Sequence, residues 1–209
     1  MIPDKHLKTL VGAIVAIWAL SLILAGIAAP LEMLQPFSTV TGVLPFVLLA
    51  FDKWLWRIPF LHPWFVEVPN LRGVWRVEIR STWKDPETGQ TPGPIEGYMV
   101  IRQTYSTISM RLFTRESSSK LTAGWILKET DGKYLLTCVY NNESKLPFRD
   151  RSPIHYGSYI LRVVGDPPQE LSGHYWTDRG TQGEMILTER KRKFPDDFET
   201  AFKAYQATA

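Results

Sequence analysis

The segment Gly173-His174-Tyr175-Trp176-Thr177-Asp178-Arg179-Gly180 puts an aromatic ring, a hydroxyl and a guanidinium at alternate positions. In an extended strand Tyr175, Thr177 and Arg179 share one face, because side chains two apart point the same way. A face kept only for packing would carry Val, Ile and Leu there. These three groups suit binding instead. Aromatic rings stack on flat heterocycles for about 1–3 kcal/mol each, and a guanidinium holds a phosphate through two parallel hydrogen bonds. A ligand with flat rings and negative charge uses both, so a nucleotide fits the set better than a fatty acid.

The same alternation, followed toward the ends of other apolar runs, reaches Ser81 and Trp83, Gln103 and Tyr105, Thr114, and Tyr140. A buried polar group must be hydrogen-bonded or it costs about 1–3 kcal/mol. Their gathering at one end therefore predicts the wet mouth of a small binding barrel. The candidate ligand-binding residues are Trp83, Gln103, Tyr105, Thr114, Tyr140, Tyr175, Thr177 and Arg179. Structural alternatives stand beside them: Tyr105 and Tyr140 as rim residues with their hydroxyls in water, and Arg179 as a turn residue paired with Asp178. Trp75, in Gly73-Val74-Trp75, reads as the plug of a closed end rather than as a ligand contact.

No catalytic set accompanies these residues. The chain has no G-x-S-x-G, P-loop or H-E-x-x-H pattern. His6, His62, His155 and His174 are too scattered to nominate a metal site, and Asp178 and Glu184, which bracket a turn, make a weak carboxylate pair for hydrolysis. The single cysteine, Cys138, excludes a disulfide framework and a Cys-based zinc site. It alternates with Leu136 and Tyr140 and reads as a small buried residue. The expectation is a binding protein that is not an enzyme and needs no metal or cofactor.

Holding such side chains requires short strands, and from Asn70 the texture is strand-like. Period-2 runs separated by turn residues cover 73–83, 95–105, 106–116, 122–129, 134–141, 156–164, 171–177 and 183–190. The first sets Trp75, Val77, Ile79, Ser81 and Trp83 against Arg76, Glu78 and Arg80. A breaker-rich loop, DPETGQTPGP, follows it. About eight even strands with no long helix between them close naturally into an up-and-down barrel that can hold one small ligand. After it, Pro195, Asp196 and Asp197 precede Phe198, Phe202 and Tyr205 at helical spacing, which predicts a short amphipathic helix.

The front of the chain differs. Residues 7–29 carry no charge after Lys8, and the next charge is Glu32. A helix of that length crosses a hydrocarbon core of roughly 30 Å. A signal peptide is the rival, but the apolar stretch is too long for its hydrophobic region. A second run, Phe37 to Phe51, contains Pro45, which removes a helical hydrogen bond. Extended through Lys53 and Trp56 it makes a second span, with Trp54, Trp56 and Trp64 at headgroup level. A re-entrant or interfacial helix is the alternative. The connection 31–36 is a hairpin turn. Lys5, Lys8, Lys53 and Arg57 flank the pair while the loop holds only Glu32, so the positive-inside rule puts both ends in the cytoplasm. Asn142-Glu143-Ser144 would then never meet a glycosylation machinery.

The expected layout is a two-helix transmembrane hairpin at 1–60, a linker at 61–69, a β-barrel at 70–193 and a helical tail at 194–209. The fold class is membrane-anchored all-β: two N-terminal transmembrane helices, an antiparallel lipocalin-like barrel of about eight strands, and a short C-terminal helix. Of 209 residues, those from 70 to 193 include 19 Lys and Arg against 14 Asp and Glu, while the whole chain carries +3. That balance favours an anionic ligand or membrane surface. The run Arg190 to Lys193 reads as a solvated strand end.

The tandem spans, Leu71-Arg72-Gly73-Val74-Trp75, the run 101–119, Val139-Tyr140-Asn141-Asn142, His155-Tyr156-Gly157 and the run 173–185 together resemble one family. These are the SMODS-associating, two-transmembrane, β-strand-rich effectors of CBASS anti-phage defence. The likeness extends over nearly the whole chain to about Lys193, and G-x-Y-W-T-D-R with its following glycine is its most specific element. The resemblance implies a receptor-effector without chemistry of its own. Its barrel would bind a cyclic oligonucleotide, in particular a cyclic dinucleotide, made by a cognate nucleotidyltransferase (CD-NTase). The protein would then self-associate through its helices and disrupt the bacterial inner membrane, causing abortive-infection cell death.

Carried over by motif and inward parity, the implied contacts are Gln103, Tyr140, Tyr175, Thr177 and Arg179; Trp83, Tyr105, Ser81 and Thr114 rest on parity alone. The shortness of the second span, with its Pro45, and the helical tail are features the resemblance does not cover. Expected partners are the messenger, membrane lipids and further copies of the chain, with no DNA or RNA. Gly12, Ala13, Ala16, Ala25 and Gly26 offer small surfaces where spans approach. Two other classes stay open: a membrane-tethered carrier or sensor of an apolar ligand, with a dry interior and Arg179 in solvent, and a scaffold that docks a protein through its rim.

Overall fold

The computed structural model describes residues 4–25, 37–62, 64–85 and 88–207. The chain divides into two compact units, 1–67 and 68–209. The first contains α1 (Asp4–Ala25) and α2 (Phe37–Lys53), which touch each other. Pro45 lies inside α2, and the helix continues through it to Lys53. The predicted connection 31–36 lies outside the described residues, as does the end of the predicted first span. Among the described residues no helix is long and apolar enough to cross a membrane.

Apolar side chains nevertheless stand exposed along both helices, among them Val15 and Ile23 on α1 and Phe46 and Leu49 on α2. Two single-turn helices follow, Leu55–Arg57 and Pro59–Leu61. Trp54 and Trp64 are exposed. Trp56 is not: it is fully buried, and its carbonyl lies 2.9 Å from His62 Nε2.

The second unit is a closed antiparallel barrel. Its strands are β1 (Gly73–Ser81), β2 (Ile95–Gln103), β3 (Ile108–Thr114), β4 (Ser117–Lys128), β5 (Tyr134–Ser144), β6 (His155–Val164), β7 (Glu170–Thr177) and β8 (Gln182–Lys191). Each pairs with the next, and β1 with β8 closes the ring. The strands form because apolar and polar residues alternate. Trp75, Val77 and Ile79 point inward on β1 while Arg76, Glu78 and Arg80 are exposed. The same parity fills the interior with Met99, Ile101, Met110, Leu136, Cys138, Leu161, Leu171 and Leu187. Each such large apolar side chain taken from water contributes roughly 1.5–3 kcal/mol. Cys138 is fully buried, as its alternation predicts, and burial pushes its thiol up to about 12.

One end of the barrel is plugged. The Trp75 indole is fully buried and donates to the Leu71 carbonyl at 2.9 Å, while the Arg190 guanidinium lies 5.3 Å over its ring. The other end, formed where β1, β3, β5 and β7 finish and β2, β4, β6 and β8 begin, is open.

The predicted tail helix is α3 (Phe198–Gln206), and the structure shows what it does. Asp197 caps it, accepting from the Thr200 amide at 2.7 Å. Its buried face of Phe198, Ala201 and Tyr205 covers Val74, Tyr98, Val100 and Phe113 on the outer wall of β1–β3. This is why Tyr98, Met99, Val100 and Ile101 are buried in succession on β2: odd positions face the interior and even positions face the helix.

Candidate functional site

The open end holds a cavity of about 490 Å³, within the range of small-ligand sites. Six of the eight predicted residues line it: Trp83, Thr114, Tyr140, Tyr175, Thr177 and Arg179. The other two do not. Gln103 is the last residue of β2 and sits at the plugged end. There its carboxamide accepts from the Leu71 amide at 2.9 Å and donates to the Pro69 carbonyl at 3.1 Å. Tyr105 lines a separate cleft at that end, with Trp125 and Thr107. The physical reason is direction: parity fixes the face a residue points to, but antiparallel neighbours finish at opposite ends. The end of β2 is therefore remote from the ends of β1, β3, β5 and β7.

Two tyrosine rings form the inner wall of the cavity, and glycines make room for both. A β-carbon at Gly157, opposite Tyr140 in the β5–β6 register, would lie 2.3 Å from the Tyr140 hydroxyl oxygen. One at Gly183, opposite Tyr175 in the β7–β8 register, would lie 2.7 Å from Tyr175 Cε1. Both rings thus come up close against bare backbone. Burial raises both phenols, so they stay protonated and neutral at ordinary pH. A hydrogen bond with Ser81 opposes the rise at Tyr175. Below them Tyr159 packs 5.7 Å from the Tyr140 ring.

The predicted hydroxyls have a local role as well. Thr114 Oγ1 accepts from the Ser117 amide at 3.0 Å and lies 3.0 Å from Ser117 Oγ, which ties the β3–β4 hairpin. Thr177 Oγ1 lies 2.6 Å from Thr181 Oγ1 and ties the β7–β8 hairpin in the same way. Trp83, just past β1, is half-buried, and its amide donates to Ser81 Oγ at 3.1 Å.

Arg179 does not belong to the strand that the opening alternation assigned it. β7 ends at Thr177, and Arg179 is an exposed residue of the following turn. Asp178 holds that turn, accepting from the Tyr156 amide at 3.1 Å. The Arg179 guanidinium reaches Ser152 Oγ at 3.4 Å instead, and among the described residues no carboxylate forms an ion pair with it. It is therefore a rim cation available to an anion. Arg115 is a second, with its guanidinium 5.4 Å and 5.7 Å over the Phe198 and Phe202 rings, and Arg151, paired with Glu116, is a third.

Several lining residues were not among the candidates. Asn142, Ser144 and Ser119 continue the inward parity of β5 and β4, and His155 opens β6. The signal was present: Cys138, Tyr140, Asn142 and Ser144 are one unbroken alternation, of which the candidate set kept only Tyr140. His155 is buried, and its Nδ1 donates to the Pro153 carbonyl at 2.9 Å. Burial lowers its imidazole and the nearby Arg179 charge adds to this, against the hydrogen bond to Pro153. Among the described residues no group of His, Cys, Asp and Glu is placed to hold a metal ion.

This arrangement offers flat rings inside, neutral hydrogen-bonding groups midway and cations at the rim. It matches a ligand with heterocycles at one end and phosphates at the other. Comparison with known proteins bears on the same region. A family model described as "Cap15, cyclic dinucleotide receptor domain" matches residues 66–189, from before β1 into β8. The chain is 26% identical over 188 residues to CD-NTase-associated protein 15 of Staphylococcus schleiferi, across 90% of this chain and 97% of that one. It is 31% identical over 140 residues to CD-NTase-associated protein 15 of Yersinia aleksiciae, across 66% of this chain and 63% of that one.

Proposed function

The chain belongs to the family of the Cap15 cyclic dinucleotide receptor domain, and on that premise we propose that its barrel is the receptor of a CBASS anti-phage effector. The ligand is a cyclic dinucleotide made by a cognate CD-NTase. One observation carries the reading: two neutral tyrosine rings, each packed closely against a glycine, line a cavity of about 490 Å³ whose rim carries Arg115, Arg151 and Arg179. Bases stack inside, where each stack is worth about 1–3 kcal/mol. Phosphates stay at the rim, where guanidinium groups meet them without being buried. The protein performs no chemistry on the messenger.

The effector step belongs to the first unit. The helices α1 and α2 anchor the protein in the bacterial inner membrane, with the barrel in the cytoplasm. Support comes from the uncharged run after Lys8, the exposed apolar side chains on both helices, and the cations flanking them. A ligand shifts an equilibrium only by binding one state better than another. The messenger therefore favours an assembled state over the resting one, and assembly of the helices through small residues such as Gly12 and Ala16 disrupts the bilayer.

The test is thermal unfolding of the full chain in detergent against a panel of cyclic di- and trinucleotides, with a fatty acid as the rival ligand. A messenger at 100 times its dissociation constant adds about 2.7 kcal/mol of stability. A silent panel beside a fatty-acid shift would replace the receptor with a lipid carrier.

A further inference from the structure

His155 opens β6 and heads its inward face, which runs His155, Gly157 and Tyr159. The β5–β6 register sets it opposite Asn142, at the next inward position mouthward of Gly157, against which Tyr140 packs. On its other side the β6–β7 ladder closes at Gly157 and Thr177, and the Asp178 amide still donates to the Tyr156 carbonyl at 3.0 Å. The turn carrying Arg179 therefore comes up beside His155. The imidazole stands between a ring suited to a base and a cation suited to a phosphate.

Its hydrogen-bond partner fixes its tautomer. Nδ1 lies 2.9 Å from the Pro153 carbonyl, and a carbonyl oxygen only accepts, so Nδ1 carries the proton. In the neutral ring Nε2 is then a bare acceptor. Burial favours that neutral form. The charges the ring feels are Arg179, which opposes a further proton, and Asp178, which favours one, both on the β7–β8 turn, while Asn142 beside it on β5 is neutral. Nε2 has no hydrogen-bond partner within the protein. Nor is it sealed: among the described residues the unpartnered side-chain atoms cut off from solvent are Trp56 Nε1 and Asn142 Oδ1. His155 is 6% exposed, faces inward and lines the cavity, so the cavity is where Nε2 is reached. Solvent satisfies such an acceptor until a ligand excludes it, and from then on only a donor on the ligand does.

We propose that His155 is a specificity residue of the receptor, its Nε2 accepting a hydrogen bond from an N–H or O–H of the messenger. This rests on the cyclic-dinucleotide reading of the cavity and adds to it. Stacking on Tyr140 and Tyr175 holds any flat base, and a guanidinium holds any phosphate. Discrimination has to come from a group that is penalised when the ligand brings no donor, and a desolvated acceptor is such a group. Between ring and rim, a base N–H and a ribose hydroxyl are the donors a nucleotide carries.

The experiment pairs ligands with a variant. Cyclic dinucleotides of adenine, guanine and uracil are titrated into the full chain in detergent at about pH 7.5, where the imidazole is neutral. Each is compared with analogues lacking one donor: purine for adenine, hypoxanthine or N1-methylguanine for guanine, N3-methyluracil for uracil, and deoxyribose for ribose. The same titrations are run on His155→Phe, which keeps a flat ring and removes the acceptor. Pro153 is exposed, so water takes over its carbonyl. In the wild type one pair should differ in affinity by about 5- to 100-fold, and that pair names the donor as base or ribose. In His155→Phe the gap should close, through loss of affinity for the donor-bearing member alone. His155→Leu serves in the same role if the phenylalanine variant does not fold.

A gap that persists in the variant, with both members weakened equally or not at all, overturns the assignment. So does a wild type that binds cyclic dinucleotides without distinguishing any pair. All members of the panel carry the same phosphates, so affinities that climb together below about pH 6.5, in the wild type alone, would make His155 a cationic phosphate contact and overturn it too. The receptor reading stands in each of these cases. A wild type that binds none of the panel removes both.

Discussion

The ring of Tyr140 lies so close to Gly157 that a β-carbon there would sit 2.4 Å from Cζ and 2.8 Å from the Trp176 carbonyl oxygen. The ring can swing away but the backbone cannot. Gly157→Ala therefore drives Tyr140 off the wall into the cavity and strains the β6–β7 ladder. Overpacking of this kind costs about 1–3 kcal/mol, and a displaced ring forfeits a base stack of similar size. The expected outcome is a lowered melting temperature together with an affinity for the messenger reduced about 5- to 100-fold. Thermal melts and titrations on the same sample check both. Unchanged affinity would remove Tyr140 from the binding surface.

The opposite behaviour is expected at α3. The Tyr205 hydroxyl lies 2.9 Å from the Val74 carbonyl oxygen and 2.7 Å from that of Glu189. This is where the β1–β8 register shifts and Glu189 adopts a φ of 52°. Tyr205→Phe leaves those carbonyls without their donor, which costs about 1–3 kcal/mol. The melting temperature should fall by several degrees, about 2–8 °C for a unit of this size, with messenger affinity unchanged. A parallel loss of affinity would mean that α3 acts on the cavity, through Arg115 over its aromatic rings, rather than only bracing the wall.

Why some of this was legible in sequence and some was not follows from what alternation encodes. Inward faces were readable because Trp75, Val77 and Ile79 and their counterparts repeat every second residue. That Trp75, Cys138, Tyr140 and Tyr175 face inward follows from that alone. Alternation carries no direction, so it groups Gln103 and Tyr105 with the mouth although β2 finishes at the plugged end. Nor does it mark where a strand stops: Arg179 continues the period of Tyr175 and Thr177, but the chain has already turned. The function of α3 was hidden because Tyr98 and Val100 are apolar residues on an outward face, and only tertiary packing says what covers them. Gly157 and Gly183 stand in the sequence in plain view, yet their reason is a close approach between neighbouring strands that no linear pattern displays.

Burial lowers the His155 imidazole below its ordinary value near 6.5. The sign follows directly. Below about pH 6.5 the unfolded chain binds a proton at this site that the folded chain resists, so stability falls as pH falls. Above it both states are neutral there and the contribution is constant. Melting temperatures of the wild type from pH 8 to pH 5 should therefore decline below about pH 6.5. His155→Asn should decline less over the same window, since it has nothing to protonate. Parallel curves for the two proteins would show that His155 protonates as easily folded as unfolded.

Arg179 separates the phosphate-gripping role from the structural one most cleanly, because Asp178 and not Arg179 holds the turn. Arg179→Ala should leave the melting temperature nearly unchanged, as exposed substitutions usually do within about 0.5 kcal/mol. Messenger affinity should fall about 10- to 100-fold if two charge-assisted hydrogen bonds are lost. Arg179→Lys should recover only part of it, since an ammonium supplies charge without the planar fork. The salt dependence offers an independent check. An exposed rim cation is screened over about 10 Å at 0.1 M salt, so wild-type affinity should weaken with ionic strength more steeply than that of Arg179→Ala. An alanine variant with wild-type affinity and the same salt dependence would return Arg179 to the turn and leave Arg115 and Arg151 as the cations that meet the phosphates.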